Sequence, residues 1–194
     1  MDDFDKQKLS EIETFLTAPC GIFCGACHVF LGESKTMAAE LHRVLDGFNL
    51  ADVGPIFLNV EPEKIVGFMD VLKKIGDSKQ CLGCLAGGGN PVCPMKTCAS
   101  ERGYLTCAEC DKLPCYLYEE EKDDGPMGKT TIMELICKRY QNWNIENLKR
   151  VKEVGYRQFI DEMQEKVRDG FLTSDVISKE MCMTELFKKM KEEG

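Results

Sequence analysis

The chain has 194 residues, 43% of them hydrophobic, which is enough for one substantial core or two small ones and excludes a disordered polypeptide. Its 25 Lys and Arg against 33 Asp and Glu leave a net charge of −8. Two zinc ions, each held by four thiolates, would take this to about −12, a balance that disfavours nonspecific nucleic-acid binding because surplus Lys and Arg are needed to displace counterions from phosphates.

Met1 to Ser10 is acidic and polar. No basic leader precedes an apolar segment there, so a secretory signal is not expected and the cytoplasm is the expected compartment. The longest apolar stretch, Ala18 to Leu31, is too short for a bilayer span and is interrupted by Gly, Cys and His; no membrane association is expected. Met37, Leu41, Val44, Leu45 and Phe48 recur at helical spacing, as do Ile65, Phe68, Met69, Leu72 and Ile75, which predicts two amphipathic helices. Pro62 with nearby glutamates suits the start of the second, and Lys73, Lys74 and Gly76 suit its end.

From Gln80 to Pro114 the hydrophobic period vanishes and Gly, Pro and Cys dominate, as where metal coordination replaces a large apolar core. A short helix is predicted from Cys98 to Arg102, stopped by Gly103. The acidic run Glu119 to Asp124 then leads to a linker with Gly125, Pro126 and Gly128. Helical spacing returns with Ile132, Leu135, Ile136 and Tyr140, then Ile145, Leu148 and Val151, then Phe159, Met163 and Val167. The last predicted helix is capped by Ser174 or Asp175 and buries Met181, Leu186, Phe187 and Met190. No run alternates as a strand does. The expected fold is mainly α: an irregular Cys-rich metal-knuckle module over residues 1–124, with an inserted helical pair, and a C-terminal helical unit over 125–194 packed on it.

Twelve cysteines without a secretion signal point to metal ligands or redox groups rather than disulfides. Ten are clustered: Cys20, Cys24 and Cys27; Cys81 and Cys84; Cys93 and Cys98; Cys107, Cys110 and Cys115. Cys137 and Cys182 stand alone among apolar neighbours and read as buried small hydrophobes. Three pairs, Cys24/Cys27, Cys81/Cys84 and Cys107/Cys110, have the Cys-x-x-Cys spacing that brings two sulfurs to one ion and leaves backbone N–H groups free to donate to the thiolates. The remaining members, Cys20, Cys93, Cys98 and Cys115, supply single ligands. All ten are candidate metal ligands, filling two four-cysteine zinc sites with two left over; with His28 and His42 they would fill three, and spacing alone does not decide which pair joins which.

The segments CGIFCGAC, CLGC, CPMKTCASERG and CAECDKLPC, in that order, resemble the Cys-rich family called domain of unknown function 3795. Met95 and Lys96 stand where that family usually has Ile and Arg, a change that leaves the cysteines intact. The resemblance spans about Ala18 to Leu117 and implies a metal-binding module with no assigned activity.

Other chemistries fit less well. Cys20-x-x-x-Cys24-x-x-Cys27 has the spacing of a radical S-adenosylmethionine cluster, yet Ala26 stands where an aromatic residue usually precedes the last cysteine. All-cysteine sites also hold iron–sulfur clusters, so an iron–sulfur redox or electron-transfer protein is the alternative to zinc. A thioredoxin-like centre would need a strand before its Cys-x-x-Cys pair. Gly128, Lys129 and Thr130 end like a phosphate loop, but Asp123 and Asp124 would repel phosphate, and a helix start is the better reading. Trp143, Tyr140 and Tyr156 read as core aromatics. Two histidines support no catalytic triad. A complete four-thiolate shell leaves no open coordination position, so the expected task is a surface for a protein or small-molecule partner.

Overall fold

The helical periods read from the sequence fold as helices, and the Cys-rich stretch between them folds as short turns around one short helix. The computed structural model describes residues 5–122 and 128–180. Gly125 and Pro126 of the linker, Cys182, and the last predicted helix with Met181, Leu186, Phe187 and Met190 lie outside the described residues. The chain divides into two compact units, one formed by Met1–Cys27 with Leu82–Gly194 and the other by His28–Cys81. Among the described residues there is no strand, only an isolated antiparallel bridge between Thr17 and Phe23, and no helix is long and apolar enough to cross a membrane.

The first unit opens with a short helix α1 (Glu11–Thr14) started by a capping box. Ser10 N–H and Ser10 Oγ both donate to Glu13 Oε2 at 2.8 Å, and Ser10 Oγ accepts from Glu13 N. Arg157 also donates to Glu13. The Ser10 backbone donor, helped by Arg157, holds the Glu13 carboxyl well below the ordinary range, at about 2. Because the folded state lowers this pKa, its stabilisation is complete above the unfolded value and is lost as pH falls from about 4.5 to 2. A Glu13→Gln variant should therefore be less stable than wild type in urea melts at pH 7, and an unchanged midpoint would contradict this.

The second unit holds three helices: α2 (Glu33–Gly47), α3 (Leu50–Leu58) and α4 (Pro62–Gly76). Two were expected. The additional one, α3, contains Gly54 and Pro55, which interrupt the apolar pattern, and it is set off by Asn49 and Asn59 in the left-handed region, with φ of 51° and 52°. Gly54 is buried, and a Cβ there would lie 2.7 Å from Ile65 Cδ1. Pro62 does begin α4. Gly76, expected as a stop, is instead the last helical residue and a point of close packing: a Cβ would meet Ala39 Cα at 2.9 Å. Ile65, Met69 and Leu72 are buried, whereas Met37, Phe48, Ile56 and Phe57 are 70–80% exposed.

Returning to the first unit, α5 (Pro94–Glu101) starts four residues before the predicted position because Pro94, with its fixed φ, takes the first turn after Cys93. The helix α6 (Lys129–Arg139) begins at Lys129, as expected. The last long element, α7 (Trp143–Arg168), is broken at Gly155, whose φ of 81° and ψ of 169° are open only to glycine. The continuous helical period in the sequence conceals this break. Arg150 donates to both Glu162 oxygens, at 2.9 and 2.6 Å; in a straight helix residues twelve apart would be separated by about 18 Å, so the pair clamps the two halves together. Phe23, Leu148, Val151, Tyr156 and Phe159 form the buried centre of this unit, with Phe23 edge-on to Phe159 at 6.0 Å.

Candidate metal centre

The first cysteine segment begins with a tight reversal. Gly21 N donates to Ala18 O at 2.9 Å and Ala18 N to Ile22 O at 2.8 Å. Pro19 takes the second position of the turn, where its fixed φ is favourable, and Gly21 takes the fourth. Gly21, at φ +91°, lets α7 come close: a Cβ there would lie 2.1 Å from Asn144 O and 2.6 Å from Leu148 Cγ. The turn's carbonyls are then held from α7. Asn144 Nδ2 donates to Cys20 O at 3.0 Å and Asn147 Nδ2 to Gly21 O at 2.8 Å. Cys107 N donates to Pro19 O at 2.8 Å, which ties a later cysteine segment to the first.

Cys24/Cys27 and Cys107/Cys110 adopt the same local form. Each pair frames a single 3-10 turn, Cys24–Ala26 and Cys107–Glu109, with extended backbone on both sides, and the second cysteine's N–H returns to the first one's carbonyl at 2.9 and 3.1 Å. A third turn of this kind, Cys115–Leu117, follows Pro114. The short Cys-x-x-Cys spacing dictates the turn, because only a tight reversal presents both side chains to one side.

A buried polar network fixes the Cys107–Glu109 turn. Glu109 is 6% exposed and accepts from Leu105 N at 2.8 Å and from Tyr156 OH at 2.9 Å, and it pairs with Lys6. Thr106 Oγ1 lies 2.8 Å from the Tyr156 hydroxyl and accepts from Ala108 N at 3.2 Å. Burial raises the Tyr156 hydroxyl far above its ordinary pKa, so it serves as a permanent donor. Tyr156 is thus more than a core aromatic. Removing its hydroxyl in Tyr156→Phe would strip Glu109 of a donor, at a cost of about 1–3 kcal/mol in urea unfolding. An unchanged midpoint would show that the hydroxyl contributes nothing.

The structure brings Cys98 from α5, Cys107 and Cys110 from one turn and Cys115 from the next to the wall of a single cavity of about 30 Å³. Arg102, Lys112, Glu121 and Lys129 line the same cavity. Burial and the neighbouring sulfurs push the Cys107 thiol up strongly and Cys115 up as well. Cys20, the first charged neighbour of Cys107, also lies near Cys84 and Cys93, and Cys24 lies near Cys84 and Cys20. Cys24 donates to Cys84, which raises the first thiol and draws the second down to about 7, with Lys96 assisting. Cys20 is buried and its thiol is pushed up to about 12, first by burial and then by Cys84 and Cys93. The loop after Cys84 wraps closely around it: a Cβ on Gly89 would lie 2.8 Å from Cys84 Sγ. Gly89 therefore shapes this group, whereas Gly87 has open space at its Cβ position and serves as connector.

Cys27 ends the first turn. Cys81 belongs to the second unit, as do His42 and His28, whose Nδ1 meets Glu33 Oε2 at 2.5 Å. Cys137 is 1% exposed, as expected of a buried hydrophobe. Among the described residues, no set of three or more His, Cys, Asp or Glu side chains stands in metal-holding geometry. The donor chemistry and the repeated turns fit zinc, and the sulfurs around the cavity would still have to draw together on an ion.

Sequence reasoning missed the charged side chains around the cavity. One signal was present: Arg102 follows Cys98 by four residues, the spacing that places two side chains on one face of a helix. Lys112, Glu121 and Lys129 carried no comparable pattern.

No curated protein and no solved structure matches the chain significantly. The profile of one family does match, over residues 16–120, a span that takes in every clustered cysteine and more than half the chain; the chain belongs to the family described as Protein of unknown function (DUF3795).

Proposed function

We propose that this is a binding protein whose first unit is held in shape by cysteine-ligated zinc, with Cys98, Cys107, Cys110 and Cys115 as the ligands of one ion and Cys20, Cys24, Cys84 and Cys93 as those of a second. The observation that carries the reading is the single cavity shared by the first four cysteines. Four thiolates would saturate a tetrahedral ion, so zinc here would act on folding rather than on a substrate. The task then falls to surface, and the exposed apolar side chains Met37, Phe48, Ile56 and Phe57 of the second unit supply one suited to a protein partner.

The test is anaerobic purification followed by zinc, iron and acid-labile sulfide analysis, a visible spectrum, and far-UV circular dichroism through a chelator titration. About two zinc ions per chain, no colour and loss of helicity on chelation are expected. Iron with matching sulfide would replace this reading by the iron–sulfur one.

A further inference from the structure

The sulfurs of the cavity are accompanied by an arrangement of charge that a metal-free cysteine cluster does not need. Arg102 Nη1 donates to Cys110 Sγ at 3.5 Å, and its Nη2 reaches Glu121 Oε2 at 3.5 Å. Glu121 is mostly buried, and it also takes Lys112 Nζ at 2.8 Å on one oxygen and Lys129 Nζ at 2.6 Å on the other. These contacts, Lys112's first, hold the Glu121 carboxyl down at about 2, so it stays charged and keeps the cations in place. Three cations and one carboxylate line the cavity, and Glu120 pairs with Lys112 as well at 3.4 Å, so the wall is net positive. A zinc ion with four thiolates carries about −2.

The wall is net positive where the metal–thiolate centre is net negative. We propose that Arg102, with Lys112 and Lys129 anchored on Glu121, is a positioning residue for metal capture at the Cys98, Cys107, Cys110 and Cys115 site, offsetting the charge of the dianionic metal–thiolate centre as the sulfurs close on the ion. This rests on the assignment of those four cysteines as ligands. Its physical basis is the partly buried setting, where a net charge of two is costly unless matched nearby and where groups hydrogen-bonded to ligands raise metal affinity by about 10–100-fold. In the other group, Cys20, Cys24, Cys84 and Cys93, Lys96 is the one cation among the described residues that acts on a ligand, Cys84. Arg102 should therefore affect one ion of the two.

The test is competition for zinc against a chromophoric chelator, using wild type, Arg102→Gln, Arg102→Lys and a Cys98→Ser/Cys110→Ser variant, with circular dichroism at saturating zinc to confirm folding. Arg102→Gln is expected to release one zinc about tenfold more readily while the other is unchanged, and Arg102→Lys, which keeps the charge, to recover most of the loss. Zinc affinity equal to wild type in a folded Arg102→Gln protein would overturn the proposal, as would an equal loss in Arg102→Lys. Full zinc content in the double cysteine variant would instead overturn the ligand assignment itself, so the two failures are distinguishable.

Discussion

Replacing Cys98 and Cys110 together by Ser is expected to remove the zinc of their site and with it most of the first unit's structure, which weakens the second ion too because its ligands lie in the same unit. A structural four-thiolate zinc contributes about 10 kcal/mol or more to folding, comparable to the whole stability of an ordinary domain. The two residues come from different elements, α5 and the Cys107–Glu109 turn, so their loss frees two walls of the cavity at once. Zinc analysis and far-UV circular dichroism read the outcome. A double variant that keeps its helicity and stability would show that these cysteines are packing residues. Replacing Cys137 by Ser is the matching control: it is outside both proposed ligand sets, and Ser keeps a partner for Asn144, which also holds the Cys20 carbonyl, so the zinc content should stay intact.

Gly21→Ala is expected to be the most damaging single methyl addition in the first unit, with a loss of about 3 kcal/mol or more in urea unfolding at saturating zinc. Two costs combine. The φ of +91° is unfavourable for any residue with a Cβ, at about 1–3 kcal/mol. The Cβ would also sit 2.1 Å from Asn144 O, a backbone atom that cannot yield without moving α7. The movement would break the Asn144 and Asn147 hydrogen bonds to the turn and so displace Cys20. Gly67→Ala in α4 is the contrast, because nothing lies within 4 Å of its Cβ position; a helix-interior Gly→Ala change there should stabilise by about 0.5–1 kcal/mol. Equal effects at the two positions would contradict the role given to Gly21.

Much of this fold is legible in the sequence because a helical face is written at fixed spacing. Ile65, Met69 and Leu72 mark α4, and Ile145, Leu148 and Val151 mark the first half of α7, by the same period that buries them. The additional helix α3 was hidden by Gly54 and Pro55, residues that ordinarily punctuate helices; here Gly54 permits close packing on Ile65. The break at Gly155 was hidden for the opposite reason, since the period runs through it and only the backbone angles reveal the turn.

The cysteine spacing identified the ten candidates, and its limit was their pairing. Which sulfurs share a cavity depends on how the Cys107–Glu109 turn hangs from Pro19 and from Tyr156, contacts between residues far apart in the chain that leave no local pattern. Arg102 was half-legible, through its four-residue offset from Cys98. Glu121 was not, because its importance lies in gathering Lys112 and Lys129 from two other segments.

If cysteine sulfur alone holds zinc in this protein, X-ray absorption at the zinc edge of the purified protein shows it directly. Four sulfur neighbours at about 2.3 Å for every zinc are expected. Nitrogen or oxygen neighbours near 2.0 Å, or a protein that carries no zinc and keeps its helices without it, would contradict the account.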